Sequence, residues 1–564
     1  MDKSKLYFGK NLINSQNQKV EGEYTTIDGE DFFVIRNFDT MRPFFMTIVS
    51  ASDHWLFIGS NGGLSAGRKN PASALFPYYT DDKIIDSAHT TGHKAIIHMQ
   101  KDGHVYIWEP FKTNNVNIYK ETFNLYKNRE GNKLLFEVIN HDLDIKYCYG
   151  WMFSDKYGII KQSKVENLST EEVDIDLIDG VQNILPSGVD TEMQGLKSTL
   201  VNAYKRAELK NDSKIAIYAL SSMIVDNAEP SESLKATIAW HCGAEAKHVL
   251  LSSLQLKEFQ KGNSIVSESD IKAENGAYFL NVSTSLKSSE TKEWYIVCDV
   301  NQSAKRITEL NDLLTTKGST IYEEIKTDIL NNKKELRKKI GLCDGIQLSA
   351  DRTSTGRHFT NVLFNIMRGG TFYEGYYIDV EDFMNHVKTM NRVDFNTYSK
   401  IFNTLPKKID FHQLRYFLLA TYSKSIFRYY LEYLPLSFSR RHGDPSRPWN
   451  YFSIDTQDSN GNSLRNFEGN WRDIFQNWEA LSYSYPEYTL SMISKFVNAS
   501  TIDGYNPYRI SRKGIDWEVV DPEDPWSHIG YWGDHQIIYL SKFIEFSMDF
   551  HPVRLKSFLN ENLF

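Results

Sequence analysis

A large antiparallel β-sandwich followed by a mainly helical domain is the fold class this chain predicts, and three observations predict it. Between Asp31 and Val300 short apolar runs of period two are broken by polar turns. After Asn301 the apolar spacing becomes helical. Beyond Cys343 the helical stretches alternate with loops rich in Gly, Pro, Asp and Asn.

Taken in order, Phe32-Phe33-Val34-Ile35, Val105-Tyr106-Ile107-Trp108, Leu134-Leu135-Phe136-Glu137-Val138 and Lys214-Ile215-Ala216-Ile217-Tyr218 read as strands. Their continuation without intervening helical repeats favours a two-sheet sandwich over residues 1–300 rather than a parallel α/β sheet. Ile307, Leu310 and Leu313-Leu314 at helical spacing, then the charged stretch 321–340, predict a solvated helical linker over 301–345. Residues 346–564 form the helical domain, with helices expected over 359–367, 380–390, 411–430, 471–483, 488–498 and 535–546. Two long loops, 439–469 and 503–533, bracket the helix that starts at Trp471. Long ordered loops in compact domains are often functional, and these two could fold over the same helix end.

Composition bounds the function. The 564 residues are 41% hydrophobic and 24% charged, as in globular proteins, and are too many for one ordinary core. A net charge of -8 with no basic stripe argues against nucleic acid as a partner. No run approaches the ~20 apolar residues of a membrane span, and the N-terminus lacks an apolar signal core, so a cytoplasmic location away from membranes is expected. Cys148, Cys242, Cys298 and Cys343 are far apart without a C-x-x-C pair, so they are expected as reduced thiols.

The chemistry concentrates near Gly469-Asn470-Trp471-Arg472-Asp473. Six of the eleven tryptophans lie between Trp449 and Trp532, interleaved with arginines and carboxylates. Flat aromatic faces beside hydrogen-bonding charges suit a pyranose ring, although the same residues would also build a well-packed aromatic core. Asp473 sits in the first turn of a predicted helix, where the helix N-terminus favours a carboxylate and could alone explain it. Cleaving a glycosidic bond needs a proton delivered to the leaving oxygen, and Asp473 is the candidate general acid. An inverting hydrolase also needs a base about 6.5–9.5 Å away across the sugar, a place that Asp534, Glu518 or Asp524 could fill.

The loop Ser439 to Asn450 brings Arg440, Arg441, His442, Arg447 and Trp449 together, stiffened by Pro445 and Pro448. Its arginine forks could grip sugar hydroxyls or phosphate, or could clamp the loop to neighbouring acids. Trp471, Trp478, Trp517, Asp524, Trp526 and Trp532 complete the candidate substrate-binding set. No metal is expected, since EF-hand spacing is absent and no second histidine follows His535 at ligand spacing.

The order of sandwich, charged linker and tryptophan-rich helical domain, with Trp108-Glu109-Pro110 and GNWRD, resembles the cellobiose and chitobiose phosphorylase family of inverting glycoside phosphorylases. The likeness is one of architecture and order over the whole chain. It implies a toroid-like (α/α)6 helical domain, Asp473 as the acid of the family's tryptophan, one residue, aspartate motif, and inorganic phosphate as co-substrate with no cofactor. Two departures follow: the helices after Cys343 supply about two thirds of the twelve in such a ring, and the family's phosphate-binding part lies in the portion not reached. A second chain completing the barrel, or a homodimer, is one expectation; a smaller helical domain with a different activity is the other. The activity expected is phosphorolysis of a β-linked gluco-oligosaccharide, with inverting hydrolysis or a non-catalytic glycan-binding or assembly subunit as alternatives.

Overall fold

A computed structural model describes the protein except for residues 1–4, 9, 14–17, 113–117, 226–230, 319, 422, 442, 448–451, 459–460, 518–521, 524–530, 533–535 and 563–564, and the side chains at 8, 11, 531 and 532. The chain divides into two compact units. Met1–Leu336 with Asp444–Asn450 makes the first, and Arg337–Gly443 with Tyr451–Phe564 the second.

The first unit is built on an eleven-stranded antiparallel sheet among the described residues. From one edge its strands are Asp270–Lys272, Lys205–Leu209, Ala216–Leu220, Lys235–Cys242, Thr291–Ser303, Gly158–Asn167, Ile145–Ser154, Leu134–Asn140, Glu121–Asn128, Glu30–Arg36 and Glu21–Ile27. A five-stranded sheet faces it, ordered His104–Trp108, Gly92–Lys101, Val173–Ile184, Gly276–Leu286 and His248–Leu250. Phe45–Ile48, His54–Gly59, Leu64–Arg68 and Ala74–Phe76 add a four-stranded sheet. The sandwich expected from period-two runs is present, with the strand expected at Lys214 starting at Ala216.

Strand alternation explains how the large sheet is covered. On Thr291–Ser303, Trp294, Ile296 and Cys298 enter the core shared with Ile97, Leu177 and Leu280 of the facing sheet. Tyr295 and Val297 point the other way, into a second core with Trp240, Ile160 and two helices. Those helices are α1 (Ala304–Lys317) and α2 (Ile321–Gly341). The solvated linker therefore needs correction. Ile321, Ile325 and Ile329 recur every four residues and are all buried, so this part of α2 packs on the sheet and leaves its charged face, with Glu323 and Lys334, in water. Asn332 on α2 reinforces the contact by donating to Ser50 Oγ at 3.0 Å and Asp155 Oδ1 at 2.6 Å.

The second unit contains α3 (Arg352–Gly369), α4 (Val380–Met390), α5 (Arg392–Phe402), α6 (Phe411–Ala420), α7 (Lys424–Leu431), α8 (Trp471–Ser484), α9 (Thr489–Ala499), α10 (Gln536–Phe550) and α11 (Pro552–Leu559). The single helix expected over 411–430 is two, because Ser423 turns its hydroxyl to accept from Ile426 N–H and starts a new helix after Ala420. Asp379, Asn391 and Asp410 cap α4, α5 and α6 in the same way. Helix α9 is buried almost all round, and α7 and α10 pack against it. Tyr488, at its start, stacks on Phe372 at 3.7 Å between ring centres and meets Phe411 at 4.4 Å.

Two ionisable sites inside the sandwich generate tests. Lys161 and Asp179 are buried in the main core, Nζ to Oδ1 at 2.6 Å. Asp179 also accepts from Tyr147 (2.6 Å), Ser163 (2.8 Å) and Trp294 (2.7 Å), so every member of the network is joined through this one carboxylate. Replacing one partner leaves the other charge buried and unpaired, so Asp179→Asn should destabilise the sandwich by about 3–5 kcal/mol in urea unfolding. An unchanged midpoint would show that the pair contributes nothing. Glu121 accepts from the buried Trp108 indole at 2.6 Å, and burial, with Asp39 and Asp142 near it, pushes its carboxyl up to about 7 from an ordinary 4.5. A carboxyl with a raised folded-state value stabilises fully below 4.5 and loses that contribution as pH rises through 7. Glu121→Gln should abolish a fall in stability on the order of 3 kcal/mol between pH 4.5 and 7, read as a flatter denaturation profile than that of the unsubstituted protein.

Candidate active site

Asp473 is positioned by backbone pairing. Glu468–Asn470 forms a strand against Arg509–Ser511, which turns back along Gly514–Asp516. Trp471 N–H then donates to Tyr508 carbonyl at 2.9 Å, and the chain enters α8. Gly469 fits closely at this entry, since a Cβ there would stand 2.9 Å from Ile474 Cδ1 and that side chain would have to shift. The two long loops thus meet at one end of α8, where Asp473 occupies the first turn and is partly exposed. No hydrogen bond or ion pair engages its carboxylate among the described residues. A partly exposed carboxylate without a protein partner among them at a loop junction can make its hydrogen bonds to a polar ligand.

The aromatic set divides. Trp471 is fully buried against Phe475 and Phe496, with ring centres 4.6 and 4.9 Å apart. Trp478 is equally buried, and its indole donates to Gly369 carbonyl at 2.8 Å. Neither presents a ring face to a sugar, so both act here by packing α8. Trp517 is 45% exposed and follows directly on the Gly514–Asp516 strand, so it retains an open face near the loop junction. Trp532 is described only in its backbone, paired with Tyr505. His442, Trp449, Glu518, Asp524, Trp526 and Asp534 lie outside the described residues.

The arginines also separate. Arg440 is buried, its N–H on Met367 carbonyl at 2.7 Å and its guanidinium 5.0 Å from the Phe438 ring centre. Arg441 lies 4.0 Å from Glu468 Oε1, next to the strand that leads into Asp473. Arg447 is exposed in a turn closed by its N–H on Asp444 carbonyl and belongs to the segment grouped with the sandwich unit. The sequence reading missed Glu468 and Arg509, joined at 2.6 Å, with Arg509 also paired to Asp516. Glu468 directly precedes GNWRD, a signal on the page; Arg509 is 41 residues away and only the fold brings it there. Glu479, the next acid along α8, is held by Lys542 at 3.2 Å. Trp108 of the Trp108-Glu109-Pro110 motif is a buried core residue of the sandwich.

This arrangement can deliver a proton from one carboxyl to a ligand oxygen at the mouth of the loops. Among the described residues no group of three or more His, Cys, Asp or Glu could hold a metal ion, and no helix is long and apolar enough to cross a membrane. The four cysteines are unbridged.

Comparison with known proteins gives one family match: residues 372–435 fit the glycoside hydrolase family 149 insertion domain 1. That stretch contains α4 to α7, so both helices expected over 380–390 and 411–430 fall in a segment similar to an insertion module. No curated protein matches in sequence. Among solved structures, a polysaccharide lyase aligns at 12% identity over 48% of this chain and 34% of its own, with a TM-score of 0.28. A putative kojibiose phosphorylase from the human microbiome aligns at 11% identity over 83% of this chain and 55% of its own, also at 0.28. A putative aldose 1-epimerase from Klebsiella pneumoniae aligns at 8% identity over 52% of this chain and 90% of its own, at 0.22. Scores this low carry no functional weight, and the chain spans 34% and 55% of the first two structures. The family match likens residues 372–435 to a module of glycoside hydrolase family 149 and does not single out the cellobiose and chitobiose phosphorylase family.

Proposed function

We propose that the protein is a glycoside phosphorylase acting on β-linked gluco-oligosaccharides, with Asp473 as general acid. The observation that carries the reading is the partly exposed Asp473 carboxylate at the junction of the two loops, which no hydrogen bond or ion pair engages among the described residues. The insertion-domain match supports a carbohydrate-active chain. In the reaction, protonated Asp473 gives its proton to the glycosidic oxygen as the bond to the anomeric carbon breaks. A phosphate oxygen bonds to that carbon from the opposite face, releasing a sugar 1-phosphate of inverted configuration and a shortened oligosaccharide. Arg441 and Trp517 are the described residues proposed to meet the substrate, Trp517 through its exposed ring and Arg441 beside Glu468.

Hydrolysis is the second reading, favoured by the glycoside hydrolase family of the matching module. It needs a further carboxylate to activate water, and Asp534, Glu518 and Asp524 are the candidates. Glu468 does not fill that role, since Arg509 engages it at 2.6 Å.

Incubating the purified chain with β-linked gluco-oligosaccharides, with and without phosphate, tests the reading. Phosphate-dependent release of sugar 1-phosphate is expected, and Asp473→Asn should lower turnover by on the order of 10² or more with an unchanged unfolding midpoint. Sugar release that ignores phosphate would replace phosphorolysis by hydrolysis. Glycan binding unaffected by the substitution, with no turnover in either protein, would favour a binding subunit.

A further inference from the structure

We propose that the helical unit carries a binding site for a phosphoryl group borne on a small sugar, in a cleft whose lining does not include Asp473. The cleft, of about 590 Å³, is walled by α4, α7, α9, Asp455, Leu464 to Asn466 and the turn at 512–515. Five cations line it: Arg428, Arg465, Lys495, Arg512 and Lys513. Most already have partners. Arg428 pairs with Glu432 at 3.0 Å, while Arg465 and Arg512 are anchored by Asp379 (3.0 Å) and Asp382 (2.7 Å) respectively.

Lys495 is different. It is 7% exposed on the otherwise apolar and small-residue helix α9, lines the cleft, and makes no hydrogen bond or ion pair among the described residues. Glu432 is the acid near it, and that carboxylate already accepts from Arg428 and from Asn498 at 2.8 Å. His386 offers no compensating charge. It donates Nε2–H to Tyr429 carbonyl at 3.1 Å, and burial together with Lys495 and Arg512 pushes it down to about 3, so it stays neutral. An ammonium buried near only one carboxylate, itself shared with Arg428 and Asn498, is costly, and an incoming anion would reduce that cost.

The neighbours define the ligand. A lysine point charge with arginine forks beside it matches the several oxygens of a phosphoryl group. The volume exceeds what a bare anion fills, and Asn385, Asn466 and Asp455 on the walls provide donors and acceptors for hydroxyl groups. The argument uses no part of the proposed phosphorolysis.

Titration calorimetry of the full chain with glucose 6-phosphate, inorganic phosphate and glucose tests it. Glucose 6-phosphate should bind, Lys495→Met should weaken it tenfold or more, and Asp473→Asn should leave it unchanged; glucose alone should give no heat. Phosphate binding as tight as the sugar phosphate and equally lost in Lys495→Met would uphold the phosphoryl site and assign free phosphate to it. Should Lys495→Met fail to fold, Lys513→Glu at the exposed rim must weaken binding severalfold. No binding of either phosphate compound at millimolar concentration, or equal binding by the variant that removes the charge, would overturn the proposal. Deuterium exchange should show the 512–515 turn protected by glucose 6-phosphate in the unsubstituted protein and in Asp473→Asn, but not in Lys495→Met.

Discussion

Backbone pairing of Glu468–Asn470 with Arg509–Ser511 is the constraint on which the candidate site depends. It joins the end of one long loop to the middle of the other and, through Trp471 N–H on Tyr508 carbonyl, sets where α8 begins. A helix starting one residue later would turn Asp473 by about 100° around the axis and exchange buried for exposed positions. The indoles of Trp471 and Trp478 resist such a slip because both are fully enclosed, one against Phe475 and Phe496 and the other tied to Gly369. Charge adds to the pairing, since Arg509 bridges Glu468 and Asp516 across the three short strands.

The sandwich solves a different problem. A sheet this wide has two faces to cover, and alternation along strands such as Thr291–Ser303 supplies an apolar row to each. One row meets the opposing sheet; the other meets α1 and α2, which is why the helices that follow the sandwich pack back on it. Lys161 and Asp179 lie in the first of these cores, where the tyrosine, serine and tryptophan around them satisfy the carboxylate.

Much of the fold was legible because periodicity records which face of an element is buried. The runs at Phe32, Val105 and Leu134 are strands, and the apolar spacing of Trp471, Phe475 and Trp478 marks α8 from its first residue. Helix α2 was misjudged because its many charges masked the four-residue repeat of isoleucines. The break between α6 and α7 rests on one capping serine within an apolar stretch, and α5 and α11 were passed over. At the site, Asp473 and its helix start were readable, whereas the burial of Trp471 and Trp478 was not: an aromatic side chain serves a core or a sugar equally well until its surroundings are known. Pairings such as Arg509 with Glu468 are tertiary and leave no local pattern. Lys495 did leave one, a single charge in the helix Thr489–Ala499, and its meaning emerges from the cleft it lines.

The central claim is that Asp473 supplies the proton to the departing oxygen, and the dependence on leaving group tests it most directly. Turnover by Asp473→Asn should be compared with that of the unsubstituted protein on a β-linked gluco-oligosaccharide and on a dinitrophenyl β-glucoside, whose phenolate departs without protonation. A general acid predicts a loss on the order of 10² or more on the oligosaccharide and little loss of the glycosyl-transfer step on the activated substrate. Equal losses on both would contradict the assignment and leave Asp473 as a helix-start or substrate-positioning residue.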